Sequence, residues 1–475
     1  MTSSAKFKIF LFLILILNIF LKVHGIDKNS LWIDEAYSIN EAQFSVQTII
    51  LHSSESDNPP LYYLILHFWT KLFGVSEMAV RSLSAVFSIL TSVLIFILVS
   101  RNFNLLIGVF STLFFTFSNE NLYYAQETRT YSLVVFLTVI SIGVFFLLYK
   151  KRNIFLLIVL TIANIFLIYS HYLSILIPLM EVCVAIIFFK NKRFFIEILL
   201  STFIVLLCFI PWIQYPLSHA PKEGSFWLQK PTFSNFKGIL IGFANNKITL
   251  ILCFIILAFA FITKIYFNKT NKKYFSFEET SLLVFTFFPI IFVYFIAGFV
   301  PVFLLRYLLF ASIPFYILFI LLLNTYLKRE KAFIIAASVL ICSTIFSIKL
   351  HPTKDENWRE AVKKVKELKG KNDEVILSAS YTALVFSYYY DRDIFIKNKT
   401  TYSALLNENI LPINGNSPGD LDKFRDSKKL IGVYCHELLE DPNNTIKKEL
   451  NLNFRIVESF DFEKVKVVLY ENLQK

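Results

Sequence analysis

Apolar runs long enough to cross a bilayer recur along this chain and are separated by short polar segments. Hydrophobic residues make up 56% of the 475 residues, and only 17% are charged. An ordinary soluble domain has about 25% charged residues. One soluble core cannot hide that much apolar surface, because such domains stop growing at roughly 250–300 residues. The pattern therefore predicts a polytopic α-helical membrane protein.

A helix needs about 20 mostly apolar residues to span the hydrocarbon core of a membrane. The segment 59–73 is shorter, at about 15 residues, and Lys71 lies near its end, so we expect an interfacial or re-entrant helix there. By the same length criterion the chain has about eleven candidate spans, near 8–24, 79–99, 103–118, 131–149, 153–170, 173–189, 194–215, 238–265, 281–300, 305–326 and 331–349.

The basic residues indicate how these spans are oriented, since cytoplasmic loops carry an excess of Lys and Arg. If the N-terminus is inside, every basic cluster falls on the cytoplasmic side. The same arrangement puts the first loop, 25–78, and the tail after 350 outside the cell membrane. The clusters used are Lys6 with Lys8, Arg101, Lys150–Arg152, Lys190–Arg193, Lys264–Lys273 and Lys328–Lys331.

The composition changes abruptly after residue 350, which predicts two domains, 1–350 and 351–475. In the tail, Trp358, Val362, Val365 and Leu368 recur at helical spacing. The segments VILSAS, LIGVYCH and VKVVLYEN are typical of strands. Alternating helices and strands predict a small α/β domain outside the membrane.

Two acidic motifs in the first outer loop are candidates for catalysis. Asp34 and Glu35 lie a short distance past the first span, and Asp57 precedes the pair Pro59-Pro60. Exposed acids are ordinary, so the dipeptide alone favours two solvated side chains. The prolines stiffen the chain beside Asp57 and hold that second acid in place. Two separately anchored carboxylates favour a site in which one accepts a proton.

Three cations lie at the outer ends of different predicted spans, and each has a tyrosine beside it in the sequence. Singly, an arginine there is better explained by contact with lipid headgroups. Jointly, the three cations suit an anionic phosphate that enters from the lipid. The residues are Arg129 near Tyr131, His171 before Tyr172, and Arg306 before Tyr307. Glu181, in the middle of a predicted span, is a further functional candidate without a partner in the sequence.

The order of these motifs resembles the bacterial GT-C glycosyltransferases. LWIDEAYS, DNPPLYYLILHFWTKLFGVSEMAVRSLSAVFSILT, YYAQETRTYS, YSHY and LLRYLLFASIP follow one another as in that superfamily. In particular they resemble the dolichyl-phosphate-mannose protein mannosyltransferases and lipid A aminoarabinose transferases. The resemblance covers roughly residues 8–350 and is densest over 30–175. It implies a GT-C membrane domain that takes a sugar from a polyprenyl-phosphate carrier.

The resemblance also implies roles for individual residues. Asp34 matches the acid of the first-loop pair and is implied as the catalytic base, with Glu35 beside it and Asp57 as the second acid. Asn58 stands where many relatives have His or Lys, which puts a metal contact there in doubt. The residues implied to contact substrate are Tyr37, Asn58, Tyr62, Arg129, Tyr131, His171, Tyr172, Arg306 and Tyr307.

The predicted function is transfer of a sugar to a protein, lipid or glycan hydroxyl on the outer face of the cell membrane, with inversion favoured and retention left open. A transporter or flippase of polyprenyl lipids or polysaccharides is the alternative, but transporters place their polar groups near the midplane. A non-catalytic envelope protein is a third hypothesis. The formal net charge of +12 is distributed in loop clusters, so no nucleic-acid partner is expected. No cofactor is called for, and the need for a divalent metal stays open.

Overall fold

The computed structural model describes residues 3–55, 58–218, 230–267, 275–327, 329–350, 356–396, 401–413, 423–424, 427–437 and 441–473. Asp57 lies outside these residues. The chain forms two compact units. The first comprises residues 1–24, 50–62 and 81–352, and the second comprises 25–49, 63–80 and 353–475. The first outer loop thus belongs largely to the same unit as the tail.

Helices are the regular secondary structure of the described residues up to 350. The α-helices are Ser3–Val23, Ile33–Glu41, Val46–Ser54, Leu61–Phe73, Glu77–Asn102, Leu105–Thr116, Asn119–Ala125, Tyr131–Lys151, Ile154–Ser170, Leu176–Ile187, Lys192–Ser218, Phe233–Ala244, Lys247–Phe267, Phe277–Ile296, Ser312–Tyr326 and Glu330–Ile345. Two 3₁₀ helices, Tyr172–Ile175 and Leu305–Ala311, join helices in this region.

A polytopic helical membrane protein is confirmed by these helices. Among the described residues, six are long and apolar enough to cross a membrane, or seven if one bent pair forms a single span. Shorter apolar helices occupy Leu105–Thr116, Ile154–Ser170 and Tyr172–Ile187. Each of the eleven apolar segments contains helix, but the number of spans stays a prediction. The segment 59–73 forms a helix of 13 residues, Leu61–Phe73.

Polar residues between the apolar runs fix where several helices begin. Asn104 accepts a hydrogen bond from the backbone N–H of Ile107 at 2.9 Å and so caps the helix that starts at Leu105. Ser276 and Glu279 form a reciprocal capping box at the start of Phe277–Ile296. Such caps satisfy backbone donors that the helix itself leaves unpaired.

The bent pair of helices is broken at Asn245. The helices Phe233–Ala244 and Lys247–Phe267 meet at an angle of 90°. Asn245 has a φ of 67°, in the left-handed region that asparagine tolerates better than most residues. Its side-chain amide donates to the Phe117 carbonyl at 2.6 Å, while its side-chain oxygen accepts from the Asn119 backbone at 2.8 Å. The break is therefore a bonded feature of the fold.

A five-stranded sheet forms the centre of the tail, which confirms the predicted small sheet domain. The strands are β1 Glu374–Ser378, β2 Ile410–Ile413, β3 Lys429–Tyr434, β4 Phe454–Phe462 and β5 Val465–Asn472. Their order in the sheet is β2-β1-β3-β5-β4. β1 is parallel to β2 and β3, whereas β5 is antiparallel to β3 and β4. The helices of the tail are Trp358–Leu368, Ala383–Tyr390, Arg392–Ile396, Thr401–Asn407 and Thr445–Asn453, with a 3₁₀ turn at Ser380–Thr382.

Buried hydrogen bonds join the first outer loop to the tail within the second unit. Ser30 donates to the Glu356 carbonyl at 2.7 Å and accepts from the Trp358 N–H at 3.1 Å. The Tyr389 hydroxyl accepts from the Leu31 N–H at 2.7 Å. Such bonds cost free energy when one partner is removed and the other stays buried. The loop residues near Asp34 are therefore held by the tail.

Candidate functional site

Three aromatic rings and two guanidinium groups meet in the first unit. The His171 ring centroid lies 6.1 Å from that of Tyr131 and 5.1 Å from that of Tyr307. The Arg306 guanidinium carbon lies 5.4 Å from the Tyr307 ring centroid. Arg129 acts electrostatically on His171 together with Arg306. We call Arg129, Tyr131, His171, Arg306 and Tyr307 the cation cluster.

The protonation state of His171 follows from its surroundings. Burial and the positive charges of Arg129 and Arg306 lower the pKa of His171 to about 3. Its Nδ1 accepts a hydrogen bond from the Leu173 backbone N–H at 3.3 Å. A neutral imidazole that accepts at Nδ1 carries its proton on Nε2. The cluster thus offers one neutral N–H donor near two permanent cations, which suits an anionic oxygen-rich group.

Local structure holds Arg129 close to Tyr62. Arg129 is buried, and its backbone carbonyl accepts from the Ser84 hydroxyl at 3.3 Å. The Ser84 hydroxyl also lies 3.3 Å from the Tyr62 hydroxyl. The next residue, Thr130, donates to the Ser170 carbonyl at 3.0 Å, directly before His171. The segments that contain Tyr62, Arg129 and Ser170 therefore meet in one part of the fold.

Sequence reasoning missed two acids that lie near the same cluster. Glu127 is fully buried, and Glu120 is partly buried. Burial, followed by the charges of Glu127 and Glu120, raises the pKa of Tyr124, whose ring centroid is 4.9 Å from that of Tyr131. Burial also raises the pKa of Glu120. The signal was visible in NENLYYAQETRTYS, where both acids flank the tyrosines.

Close helix packing explains part of the environment of Glu120. A Cβ atom on Gly242 would lie 3.5 Å from Glu120 Oε1 and would collide with the Leu305 side chain. The helix Phe233–Ala244 therefore packs closely against Leu305 at Gly242. The chain next to Arg306 is thereby packed beside a carboxyl group. Glu120 and Arg306 both act electrostatically on Tyr124, so a carboxyl group lies near the cation cluster.

Two other candidates lie in different surroundings. The Tyr172 hydroxyl accepts from the Trp212 indole at 3.0 Å, within an aromatic group that includes Phe209. Glu181 is fully buried and accepts from Ser141 at 2.7 Å and from Asn164 at 2.8 Å. This carboxyl group links three helices through hydrogen bonds. The structure thus supplies the partners of Glu181 that the sequence did not reveal.

The acidic pair of the first outer loop lies in the second unit. Asp34 and Glu35 occupy the first turn of the helix Ile33–Glu41, where the helix dipole stabilises carboxylates by about 0.3–1 kcal/mol. Glu35 is fully buried, whereas Asp34 is partly exposed. Asp34 is therefore the more solvent-accessible acid of the pair. Tyr37 packs edge-on against Tyr63, with ring centroids 6.2 Å apart.

Two further questions are where the second acidic motif lies and which side chains could hold a metal ion. Asn58 is partly buried, and Asp57 lies outside the residues that the structure describes. Within the described part of the chain, three metal-ligating side chains come within reach of one ion at Glu356, Cys435 and His436. None of these was a candidate in the sequence. They belong to the tail, and their arrangement is taken up below.

Comparison with known proteins bears on both the sequence and the fold. Residues 57–215 match the family model of the dolichyl-phosphate-mannose-protein mannosyltransferases. This match includes Asp57, Arg129 and His171 but ends before Arg306. Comparison with curated proteins found no significant match.

Solved structures of ArnT and of an archaeal oligosaccharyltransferase share the fold along most of the chain. ArnT from Cupriavidus metallidurans in the apo state has a TM-score of 0.62 at 10% identity and covers 98% of each chain. Its complex with undecaprenyl phosphate has a TM-score of 0.59 at the same identity and coverage. The apo oligosaccharyltransferase of Archaeoglobus fulgidus has a TM-score of 0.51 at 12% identity, covering 92% of this chain and 70% of its own. At such identities the likeness concerns the fold alone.

Proposed function

We propose that this chain, whose fold and family-model match support its place in the GT-C glycosyltransferase superfamily, transfers a sugar from a polyprenyl-phosphate carrier to a hydroxyl group of a cell-envelope acceptor. The cation cluster is the observation that carries this proposal. It joins two arginines and a neutral histidine donor at the ends of apolar helices. That combination fits a phosphate whose lipid chain stays in the membrane.

The donor class follows from the chemistry of the cluster. Arginine holds phosphate oxygens through paired N–H groups, and charge-assisted bonds of this kind are about twice as strong as neutral ones. The Nε2–H of His171 adds a donor without adding charge. The ArnT complex with undecaprenyl phosphate supports a lipid phosphate in this fold. The inhibited archaeal oligosaccharyltransferase with dolichol-phosphate, at a TM-score of 0.50 and 12% identity, supports it as well.

The reaction needs one base and a stabilised leaving group. Asp34 takes the proton of the acceptor hydroxyl, whose oxygen forms a bond to the anomeric carbon of the donor sugar. The bond from that carbon to the carrier phosphate breaks, and its electron pair leaves with the phosphate. Arg129 and Arg306 stabilise the charge that develops there. A single displacement inverts the anomeric centre, whereas retention would need a carboxylate nucleophile.

The membrane arrangement completes the proposal. We place the N-terminus in the cytoplasm, and the first outer loop and the tail outside, because this puts all basic clusters inside. The acceptor is then a protein, lipid or glycan of the cell envelope. Asp57 and Glu35 act with Asp34 in this scheme, and Tyr37, Asn58 and Tyr62 contribute to substrate contacts.

The purified protein in lipid nanodiscs tests the proposal directly. It should release polyprenyl phosphate from a radiolabelled polyprenyl-phosphate sugar and move the label to envelope acceptor fractions. Arg306→Ala should raise the donor KM by more than about fivefold, since an exposed ion pair would account for only ~0–1 kcal/mol. Arg101→Ala, which removes the same charge at an exposed position on the predicted cytoplasmic side, should leave the KM unchanged.

Two results would contradict the proposal. An unchanged donor KM in Arg306→Ala would remove the phosphate role of the cation cluster. Movement of an intact polyprenyl-phosphate sugar across proteoliposomes, with no cleavage by the wild type, would favour the transporter instead.

A further inference from the structure

Three side chains that ligate metals in many proteins converge in the tail. Cys435 and His436 follow strand β3, and Glu356 lies two residues before the helix that begins at Trp358. One ligand atom from each of the three lies within 4.8 Å of the other two. His436 Nε2 and Glu356 Oε1 are 3.0 Å apart. All three residues lie in the second compact unit.

The fold holds the carboxylate of Glu356 in a defined orientation. The Trp358 indole N–H donates to Glu356 Oε2 at 2.8 Å, which leaves Oε1 directed towards His436. Glu356 also forms an isolated antiparallel bridge with Glu463. Outer-shell bonds of this kind fix the orientation of ligands in metal sites. The carboxylate is only 6% exposed, so its position does not depend on solvent.

The backbone conformation of His436 also contributes to the convergence of the three side chains. His436 has a φ of 56°, which few residues with a side chain adopt. Such conformations cost about 1–3 kcal/mol and persist where the surrounding structure requires them. Here the turn lets two consecutive residues direct Sγ and a ring nitrogen to one place.

Two explanations compete for these contacts. The plainer one is an ion pair between His436 and Glu356 beside a core cysteine, and Lys464 near the Cys435 thiol favours it because its charge opposes a metal ion. Against it, the thiol joins the imidazole and the carboxylate, with the three ligand atoms within 4.8 Å of one another. This convergence of three ligand types favours a metal site.

We infer that Glu356, Cys435 and His436 bind a zinc ion. Thiolate, imidazole and carboxylate are all zinc ligands, and a thiolate disfavours magnesium and calcium. Three protein ligands leave the fourth position of a tetrahedral ion to water or another ligand. The inference does not depend on the proposed sugar transfer, because it concerns only these three side chains.

Cobalt(II) tests this site in the full-length protein, because it takes the place of zinc and absorbs light. After treatment with a chelator, the purified protein should bind about one Co²⁺ per chain. A thiolate-to-metal absorption band should appear in the near ultraviolet. Cys435→Ser should lose this band, whereas Cys342→Ser, at an exposed cysteine in the helix Glu330–Ile345, should keep it. Added zinc should displace the bound cobalt and abolish the absorption band.

His436→Gln is the second variant, because His436 is partly exposed and its replacement disturbs the core less than that of Cys435. It should weaken Co²⁺ binding by about tenfold or more, the loss seen even for outer-shell changes. Zinc should raise the Tm of the wild type and not of either variant. The absence of a thiolate band in the wild type, or its persistence in Cys435→Ser, would overturn the inference. No sugar donor is present, so failure here leaves the transferase proposal untouched.

Discussion

At the scale of single residues, His171 couples the cation cluster to pH. Its pKa is lowered to about 3 in the folded protein, mainly by burial, and lies near 6.5 in an unfolded chain. Between these values the unfolded chain binds more protons than the folded one. Stability should therefore rise with pH across this window and level off above about pH 6.5.

This dependence of stability on pH can be measured by comparing the wild type with a variant that lacks His171. The gain in Tm from about pH 4.5 to pH 7 should be smaller in His171→Gln than in the wild type, since the variant lacks the group that titrates. The control is His24→Gln, at an exposed histidine. Parallel curves for the wild type and His171→Gln would show that His171 does not carry the shifted pKa.

Asp34 is the residue on which the proposed chemistry depends. Asp34→Asn keeps the size of the side chain and removes its ability to accept a proton. Turnover should fall by about 10²–10⁴-fold, the usual contribution of a general base. Donor binding should persist. Asp27→Asn, at an exposed acid of the same loop, is the matched control and should be near normal.

The neighbouring acids refine this test. Glu35→Gln should reduce turnover less, if Glu35 only supports the loop from its buried position. A loss at Asp57→Asn as large as that at Asp34 would indicate a shared acceptor or metal site. Wild-type turnover in Asp34→Asn would remove the proposed mechanism.

Sequence reasoning chose candidate residues by their position at the ends of apolar runs and not by the direction of their side chains. Arg129, His171 and Arg306 were chosen because each follows or precedes an apolar run, and the structure brings them together. Tyr172 was chosen for the same reason, yet it pairs with Trp212. Position along a helix can be estimated from hydropathy, whereas the direction of a side chain depends on the neighbours that fold against it.

At the scale of elements, substitutions of Asn245 test what stabilises the 90° angle between the two helices that it joins. Asn245→Ala removes the side-chain bonds to Phe117 and Asn119. It also leaves alanine, which tolerates a positive φ less well than asparagine, in a strained backbone conformation, so the Tm should fall. Asn245→Gly relieves the strain at φ 67° and still loses the bonds. We expect the order of thermal stability to be wild type, then glycine, then alanine.

Thermal unfolding of the three proteins in detergent checks this order. Equal Tm values would mean that the helices keep their bend without Asn245. A glycine variant as stable as the wild type would mean that the backbone conformation matters and the side-chain bonds do not.

The tail shows which elements a sequence pattern can predict. The helix Trp358–Leu368 and the strands β1, β3 and β5 have clear apolar periodicity and were all predicted. β2 has four residues and includes Pro412, which usually argues against a strand. β4 is largely exposed, although Phe454, Ile456, Phe460 and Phe462 alternate along it. β4 pairs with β5, which follows it directly in the chain, whereas β2 depends on pairing with the more distant β1.

At the scale of the whole molecule, local patterns indicate membrane helices but not the composition of the compact units. The long apolar runs made the helical fold predictable. No pattern indicated that residues 25–49 and 63–80 would join the tail in one unit. Arg359 forms an ion pair with Glu77, and Tyr388 donates to the Val75 carbonyl at 2.8 Å. Contacts between such distant residues leave no periodic trace in the sequence.

Topology is the prediction that concerns the whole chain. Basic residues stay on the cytoplasmic side because moving them across the membrane during insertion is unfavourable. The six basic clusters alternate with the outer loops only if the N-terminus is inside and 59–73 does not cross. Alkaline phosphatase fused to the C-terminus should therefore be active, since this enzyme requires an extracytoplasmic location. The same reporter fused after Arg152, within the cluster Lys150–Arg152, should be inactive, and a fluorescent protein inserted there should fluoresce. A C-terminal fusion that works only as a cytoplasmic reporter would reverse the side assigned to the tail and, with it, the side on which Asp34 meets its acceptor.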